Sequence, residues 1–274
     1  MKTIRFGPDT HMKLTEPLDT WLTAGLRDFA IPEAVGSSAR VFSLDYDAMA
    51  GEFGDQPAIK IMRPDKMHYA QPLFRNEVRI LTRMKDIPGV TPLLGLGFMQ
   101  FNPGNWPQEL APLSSTALAK ASAGHLSGEA SLFNQNETEA FLSELDDRIE
   151  NNWLAFIILP RRWEDNLYLR CDSGYTRGEY HRSFSVQEAL RDALQICDIL
   201  TAAHDRNIVY LDHKVLHYFW SQPRQQVFVL DWNIGRIIES ENAQDVYAFD
   251  VLQFSARALH HLTVSYTHLR AHET

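Results

Sequence analysis

A chain of 274 residues that is 45% hydrophobic and 22% charged can bury one sizeable core or two modest lobes, within an ordinary soluble composition. Its formal net charge of −9 and pI near 5.6 exclude the clustered cationic face of a nucleic-acid binder, so no nucleic-acid polymer is expected as a partner. Two cysteines, Cys171 and Cys197, with no CxxC pair exclude a disulfide framework and a structural zinc site, and are expected to be plain buried or half-buried thiols. The N-terminus lacks an apolar run of signal-peptide length and no later stretch reaches membrane-spanning length, so the expected compartment is the cytoplasm.

Residues 1–30 read as an extension in which EPLDTWLTAGLRDF carries apolar residues at mixed helical spacing. From Ile31 the pattern turns extended, IPEAVGSSARVFSLDYD and then QPAIKIMR, two β-prone runs separated by a polar stretch holding Gly51 and Gly54. Within the first run Ala34-Val35-Gly36-Ser37-Ser38-Ala39-Arg40-Val41 has the small-residue character of a close-turning loop. The second run carries Ala58 and Lys60. PLFRNEVRILTRMKDI follows with Phe74, Val78, Leu81 and Met84 on one helical stripe and Glu77 among them, and IPGVTPLLGLGF reads as a loop and a strand.

Residues 100–152 are longer than a strand connection and rich in small and polar residues, with a helix expected near 137–149. They read as an insertion, either a partner-docking surface or partly disordered. Trp153-Leu154-Ala155-Phe156-Ile157-Ile158-Leu159 is a continuous apolar run of strand length. SVQEALRDALQICDILTAAHDR opens with Ser185 and Glu188 at capping-box spacing and presents Ala189, Leu194, Ile196, Ile199 and Leu200 as apolar faces. His204, near its end, is expected to serve packing and local hydrogen bonding.

Two short strands come next, one running into Tyr210-Leu211-Asp212 with Lys214 two places on, the other, QVFVLDW, delivering Asp231. Acidic residues at the ends of two neighbouring strands suit phosphoryl transfer, one carboxylate orienting a hydroxyl and accepting its proton, the other holding a divalent cation against phosphates. His213 and His217 stand four apart, but the segment reads as loop and strand and a zinc pair is not expected.

These elements, in this order, resemble the protein kinase superfamily, in its divergent bacterial Ser/Thr-kinase-like form, over residues 31–263 apart from the insertion. Residues 34–41 stand at the Gly-rich loop, keeping Gly36 of three glycines; Tyr210-Leu211-Asp212 stands at the His-Arg-Asp position and Asp231-Trp232-Asn233 at the Asp-Phe-Gly position. Asn233 is expected to take the positive φ that the missing glycine would supply. Asp212-x-Lys214 matches the Ser/Thr type. His217 replaces the family's asparagine, as it does in bacterial kinases resembling the lipopolysaccharide-core sugar kinases.

The resemblance implies an α+β, two-lobed fold: a β-rich small lobe over 31–159 carrying the insertion, and an incomplete helical large lobe over 160–263, with ATP in the cleft between them. It further implies ATP contacts from Gly36, Val41, Ala58, Lys60 with Glu77 fixing it, and Leu159. Catalysis would fall to Asp212 and Lys214, and Mg2+ or Mn2+ to Asp231 and His217. As a cleft lysine, Lys60 is expected to contribute little to packing, so that Lys60→Met costs turnover more than stability.

About a dozen residues separate Asn233 from Asp245-Val246-Tyr247-Ala248-Phe249-Asp250, which resembles the Asp-x-Trp-Ser-x-Gly start of the family's buried large-lobe helix. That leaves no room for a full activation segment. The expected activity is transfer of the γ-phosphoryl of ATP to a Ser/Thr hydroxyl of a protein; a small-molecule, sugar-type kinase and a pseudokinase that binds nucleotide or a partner without turnover are the alternatives. Finally, VSYTHLRAHET over 264–274 resembles one reading frame of a sequencing-library adapter and is expected to be non-native, the native sequence stopping at about Thr263 with its true C-terminus missing.

Overall fold

The computed structural model describes residues 34–35, 38–43, 57–63, 66–100, 130–133, 135–162, 166–167, 185–239, 243–260 and 262. The expectations for the 1–30 extension, Gly36, Cys171 and the 264–274 tail lie outside these residues. The architecture is mixed α and β, and the chain divides into two compact units, residues 1–82 with 92–161 and residues 83–91 with 162–274. Among the described residues no helix is long and apolar enough to cross a membrane.

The first unit is built on a six-stranded antiparallel sheet. Its strands are β1 (Ala34–Val35), β2 (Ala39–Ser43), β3 (Pro57–Met62), β4 (Gly95–Gln100), β5 (Ala130–Phe133) and β6 (Trp153–Pro160), in the order β1-β2-β3-β6-β4-β5. The apolar run of β6 is central, between β3 and β4, and is accordingly buried from Leu154 to Ile158. Both faces of such a strand are covered, which explains a continuous apolar pattern rather than an alternating one. Gly97 on β4 is required by close approach: a Cβ there would lie 2.2 Å from the Ser131 carbonyl and 2.6 Å from the Phe156 ring.

Helix α1 (Met67–Arg83) buries Phe74, Glu77, Val78 and Leu81 on one side, the stripe the spacing predicts. Helix α2 (Thr138–Glu150) and β5 come from the second half of the 100–152 stretch, and they belong to the core of this unit. Phe141 of α2 stacks on Phe98 of β4 with ring centroids 4.5 Å apart, and Phe133 of β5 meets both rings edge-on at 5.8 Å. Residues 130–150 therefore form an ordered sheet edge and its covering helix. Asp146 of α2 also receives the Arg75 guanidinium and the Gln71 amide of α1, and Arg75 reaches the Leu142 carbonyl.

In the second unit α3 (Val186–His204) begins with the capping box read from the sequence: Ser185 Oγ accepts from the Glu188 amide at 3.2 Å, and the Glu188 carboxylate accepts from the Ser185 amide at 2.9 Å. Ala189, Ile196, Ile199 and Leu200 are buried as expected, but Leu194 is 63% exposed and Cys197 is exposed as well. Positions 194 and 197 are three apart and share the solvent face of the helix, which two apolar letters disguised.

Beyond α3 lie β7 (Ile208–Val209), β8 (Tyr218–Ser221), β9 (Gln226–Val229) and β10 (Arg236–Ile237), forming the two-stranded pairs β7–β10 and β8–β9. Gly89 anchors the connecting segment to β9: its carbonyl accepts from Val229 N–H at 2.7 Å, its φ is +84°, and a Cβ would strike Ile199 and the Val227 carbonyl. Helix α4 (Ala243–Phe254) differs from the expected buried helix, because only Asp250 and Phe254 are buried while Phe249, Val251 and Leu252 are exposed.

Candidate functional site

In the first unit the strand register gathers the expected nucleotide-binding side chains. Residues directly opposite in an antiparallel ladder share a face, as do residues two apart on one strand. Val41 lies opposite Lys60, and Ala58 opposite Leu159, so Val41, Ala58, Lys60 and Leu159 share one face of the sheet. Val41 and Leu159 remain half-buried there, whereas Lys60 is 7% exposed.

Lys60 Nζ donates to both carboxylate oxygens of Glu77 at 2.8 Å, and Glu77 is itself 1% exposed. The pairing follows the expectation, but the burial does not. Removing one partner of a buried ion pair costs about 3–5 kcal/mol. Lys60→Met is thus a destabilising change, contrary to the expectation of an open-cleft lysine that contributes little to packing. Its β-branched and aliphatic neighbours in the sequence gave no sign of it, because its partner Glu77 lies 17 residues away in sequence.

In the second unit a single buried carboxylate organises the backbone that carries the acids. Asp250 accepts from Tyr210 N–H at 3.0 Å, Leu211 N–H at 2.7 Å, His204 Nε2 at 2.9 Å and His213 Nε2 at 2.8 Å. Burial alone would push its pKa up; the four donors outweigh that and hold it well below the carboxylate range. Leu211 sits in the left-handed region at φ 63°, a costly place for a branched side chain, and its amide is one of those tied to Asp250.

Asp250, and not Asp245, therefore carries this part of α4, since Asp245 is exposed. Sequence reading missed it, although a lone acid within VYAFDVLQF was a visible signal. His204 makes a bond across 46 residues rather than a local one, and its ring stacks on Tyr247 at 4.7 Å. His213 is wholly buried, with Nδ1 against Tyr218 Oη at 2.6 Å, and does not join His217. Burial, with Asp250 and Asp212 nearby, raises the Tyr218 phenol well above its usual pKa.

On this support stand Asp212, His217 and Asp231, whose oxygen and nitrogen atoms lie within 4.8 Å of one another. Asp212 is 5% exposed and receives Lys214 Nζ at 2.9 Å. His217 follows a short 3₁₀ turn, Val215–His217, that brings its ring back beside Asp212. Its Nδ1 is 3.1 Å from the Asp212 carbonyl and 3.0 Å from Tyr210 Oη, while its Nε2 is 3.7 Å from Asp231 Oδ2. Burial lowers the His217 pKa, against the opposite pull of Asp231 and Asp212, so the ring is neutral near pH 7.

Asp231 lies two residues past the end of β9, at the start of the 3₁₀ turn Trp232–Ile234, with φ 60°. The left-handed turn falls on the acid itself and not on Asn233, which lies buried in the 3₁₀ turn Trp232–Ile234. An aspartate tolerates this conformation better than most residues, which lets the chain turn at the carboxylate.

The Asp231 carboxylate and the neutral His217 imidazole, with Asp212 beside them, offer an oxygen and a nitrogen donor for a divalent cation. Oxygen ligands suit Mg2+ and Mn2+, and the nitrogen favours the first-row transition ion. The imidazole's other nitrogen faces a backbone carbonyl, the arrangement usual for a metal-ligating histidine.

No protein-family model and no curated protein matches this chain. The site is accordingly read from its own residues.

Proposed function

We propose that the protein is an ATP-dependent phosphotransferase with a two-lobed, protein-kinase-like fold, most directly one that transfers the γ-phosphoryl group to a hydroxyl acceptor. The observation that carries this reading is the grouping of Asp212, His217 and Asp231 within 4.8 Å, with Lys214 bonded to Asp212. The Lys60–Glu77 pair supports it, as does the sharing of one sheet face by Val41, Ala58, Lys60 and Leu159.

In this reading Lys60 neutralises phosphate oxygens of ATP, and Glu77 keeps its ammonium in place. Asp231 and His217 would hold Mg2+ or Mn2+, which supplies charge neutralisation to the phosphates when bound. Asp212 orients the acceptor hydroxyl and takes its proton as the new O–P bond forms and the bond between the γ-phosphorus and the β–γ bridging oxygen breaks; ADP leaves with that electron pair. Lys214 stands beside Asp212 to offset negative charge on the moving phosphoryl group.

A protein Ser/Thr hydroxyl is the acceptor favoured by Asp212-x-Lys214. A small-molecule hydroxyl is the second reading, favoured by one feature of the second unit: Arg236–Ile237 pairs directly with β7 and α4 begins at Ala243, leaving a short stretch after Asp231 to hold a peptide. Incubating the full chain with γ-labelled ATP and Mg2+ or Mn2+, alone, with a casein-type protein and with a panel of hydroxylated metabolites, separates the two. Label on protein supports the first and label on a metabolite the second. ATP binding without transfer in any arm marks a pseudokinase.

A further inference from the structure

The first residue of Tyr210-Leu211-Asp212 is fully buried, and its ring packs on Trp232 at 4.7 Å and His213 at 5.1 Å. Packing alone would be served by phenylalanine. The hydroxyl, however, has two specific neighbours: the Leu230 carbonyl at 2.7 Å and His217 Nδ1 at 3.0 Å.

A phenol has one hydrogen to donate, and a carbonyl can only accept. The short contact to Leu230 therefore claims the Tyr210 hydrogen, and toward His217 the oxygen must accept. His217 Nδ1 is then the donor. The Asp212 carbonyl, 3.1 Å from the same nitrogen and equally unable to donate, shares that proton. In a neutral imidazole a proton on Nδ1 leaves Nε2 with its lone pair. That atom is the one facing Asp231 Oδ2 at 3.7 Å, a separation beyond a hydrogen bond and suited to two ligands of one ion.

The same hydroxyl also holds the other ligand's backbone. Leu230, whose carbonyl Tyr210 grips, immediately precedes Asp231, and the Leu230 amide donates to the His217 carbonyl at 3.0 Å. One phenol oxygen thus sets the ring orientation of His217 and the approach of the chain to Asp231.

We propose that Tyr210 is a positioning residue for metal binding, its hydroxyl holding the His217 imidazole as the Nδ1–H tautomer with the Nε2 lone pair directed at Asp231. The proposal rests on the reading of His217 and Asp231 as metal ligands. It assigns Tyr210 no contact with ATP, acceptor or ion.

The test uses the full chain and two readouts besides turnover. With ¹⁵N-labelled histidine and no metal, long-range ¹H–¹⁵N spectra report the His217 tautomer; with Mn2+ alone, electron paramagnetic resonance reports free and bound ion. Wild-type His217 is expected as Nδ1–H, and Tyr210→Phe, folded by its melting transition, to show a tautomer mixture and about tenfold weaker Mn2+ binding. His217→Ala should weaken Mn2+ binding at least as much, and adding Tyr210→Phe to it should cost nothing further, since both act through one ligand.

An Nε2–H tautomer in the wild type overturns the proposal, as does Mn2+ affinity unchanged in Tyr210→Phe, or losses that add in the double variant. Should Tyr210→Phe fail to fold, Tyr218→Phe and the wild-type tautomer spectrum keep the question open to refutation: Tyr218 bonds His213 and not His217, so its variant must leave the His217 signals and Mn2+ affinity in place. A wild-type chain that binds no Mn2+ with or without ATP removes the metal reading itself; a Tyr210-dependent Nδ1–H tautomer seen alongside that result would make Tyr210 purely structural and overturn the proposal separately.

Discussion

The two charged constellations of this protein are built on opposite principles. In the first unit Lys60 and Glu77 form a closed pair, both under one-tenth exposed, with the ammonium bonded to both carboxylate oxygens at 2.8 Å. In the second unit Asp212, His217 and Asp231 direct three acceptor groups into one small volume, with Lys214 beside one of them. The first is a buried ion pair and is part of what holds its unit together. The second keeps like-charged groups close on a backbone fixed from behind by Asp250, an arrangement that costs stability and is suited to gaining a cation. The difference teaches that the residues most easily read from the sequence as catalytic, the lysine and its glutamate, are buried and structural, whereas the Asp212, His217 and Asp231 group is positioned from behind by Asp250.

Breaking the closed pair should have the largest effect on folding. Lys60→Met is expected to lower the stability of the chain by about 3–5 kcal/mol in urea titrations, because it removes one side of a buried ion pair. Lys60→Met combined with Glu77→Leu should recover most of that loss, because no buried charge then lacks its partner. A single variant as stable as the wild type would mean that Glu77 is satisfied without Lys60.

The support behind the open group is next. Asp250→Asn replaces an acceptor of four bonds by a group that must point a donor at donors, and should cost on the order of 3 kcal/mol. Its pKa is lowered in the folded state, so its contribution is complete above the unfolded value of about 3.9 and is lost as pH falls below it. Acid titration of the wild type should therefore show a loss of stability below about pH 4 that Asp250→Asn lacks; identical acid limbs would contradict this role.

Removing a ligand should separate binding from folding. Asp231 is one-third exposed and occupies a left-handed turn, so Asp231→Asn is expected to keep the melting temperature within a few degrees while weakening Mn2+ binding by about a hundredfold or more. A melting temperature that drops with affinity would make Asp231 a structural residue like Glu77.

The smallest effect is that of pH on the ion. The sequence alone places the acid limb of metal binding at the ordinary histidine value of 6.5, but burial lowers the His217 pKa. Neutral imidazole ligates and imidazolium does not. Mn2+ affinity should then hold across pH 6.5 and fall only below it, and His217→Asn should flatten the limb and shift preference toward Mg2+. A limb centred above 6.5 would mean that the carboxylates' pull on His217 outweighs its burial.

Helix starts and strands that obey local rules were legible in the sequence. The Ser185–Glu188 capping box marks the start of α3, the Phe74, Val78 and Leu81 stripe predicts the buried side of α1, and 153–159 reads as the strand that becomes β6. The order Lys60, Glu77, Asp212, His217, Asp231 was also legible as a set of side chains. What was not legible depends on contacts distant in sequence. The enclosure of the Lys60–Glu77 pair spans 17 residues, the role of Asp250 comes from bonds 37 to 46 residues back along the chain, and the place of β5 and α2 from an aromatic cluster of three separate elements. Backbone turns were misplaced for a related reason. Positive φ was sought at Asn233, the residue type that tolerates it, but it occurs at Asp231, which tolerates it too, and at Leu211, where a bond to Asp250 holds the backbone against local preference.

The most direct test of phosphotransfer at the open group is label transfer from γ-labelled ATP with Mn2+, comparing the wild-type chain with Asp212→Asn and Asp231→Asn at matched folded fractions. The account predicts transfer to a hydroxyl acceptor by the wild type and a fall of about a hundredfold or more in both variants, Asp212→Asn through loss of the proton acceptor with Mn2+ binding retained. Transfer at the wild-type rate in both variants, or a folded wild-type chain that neither binds ATP nor moves its label to any acceptor, would contradict it.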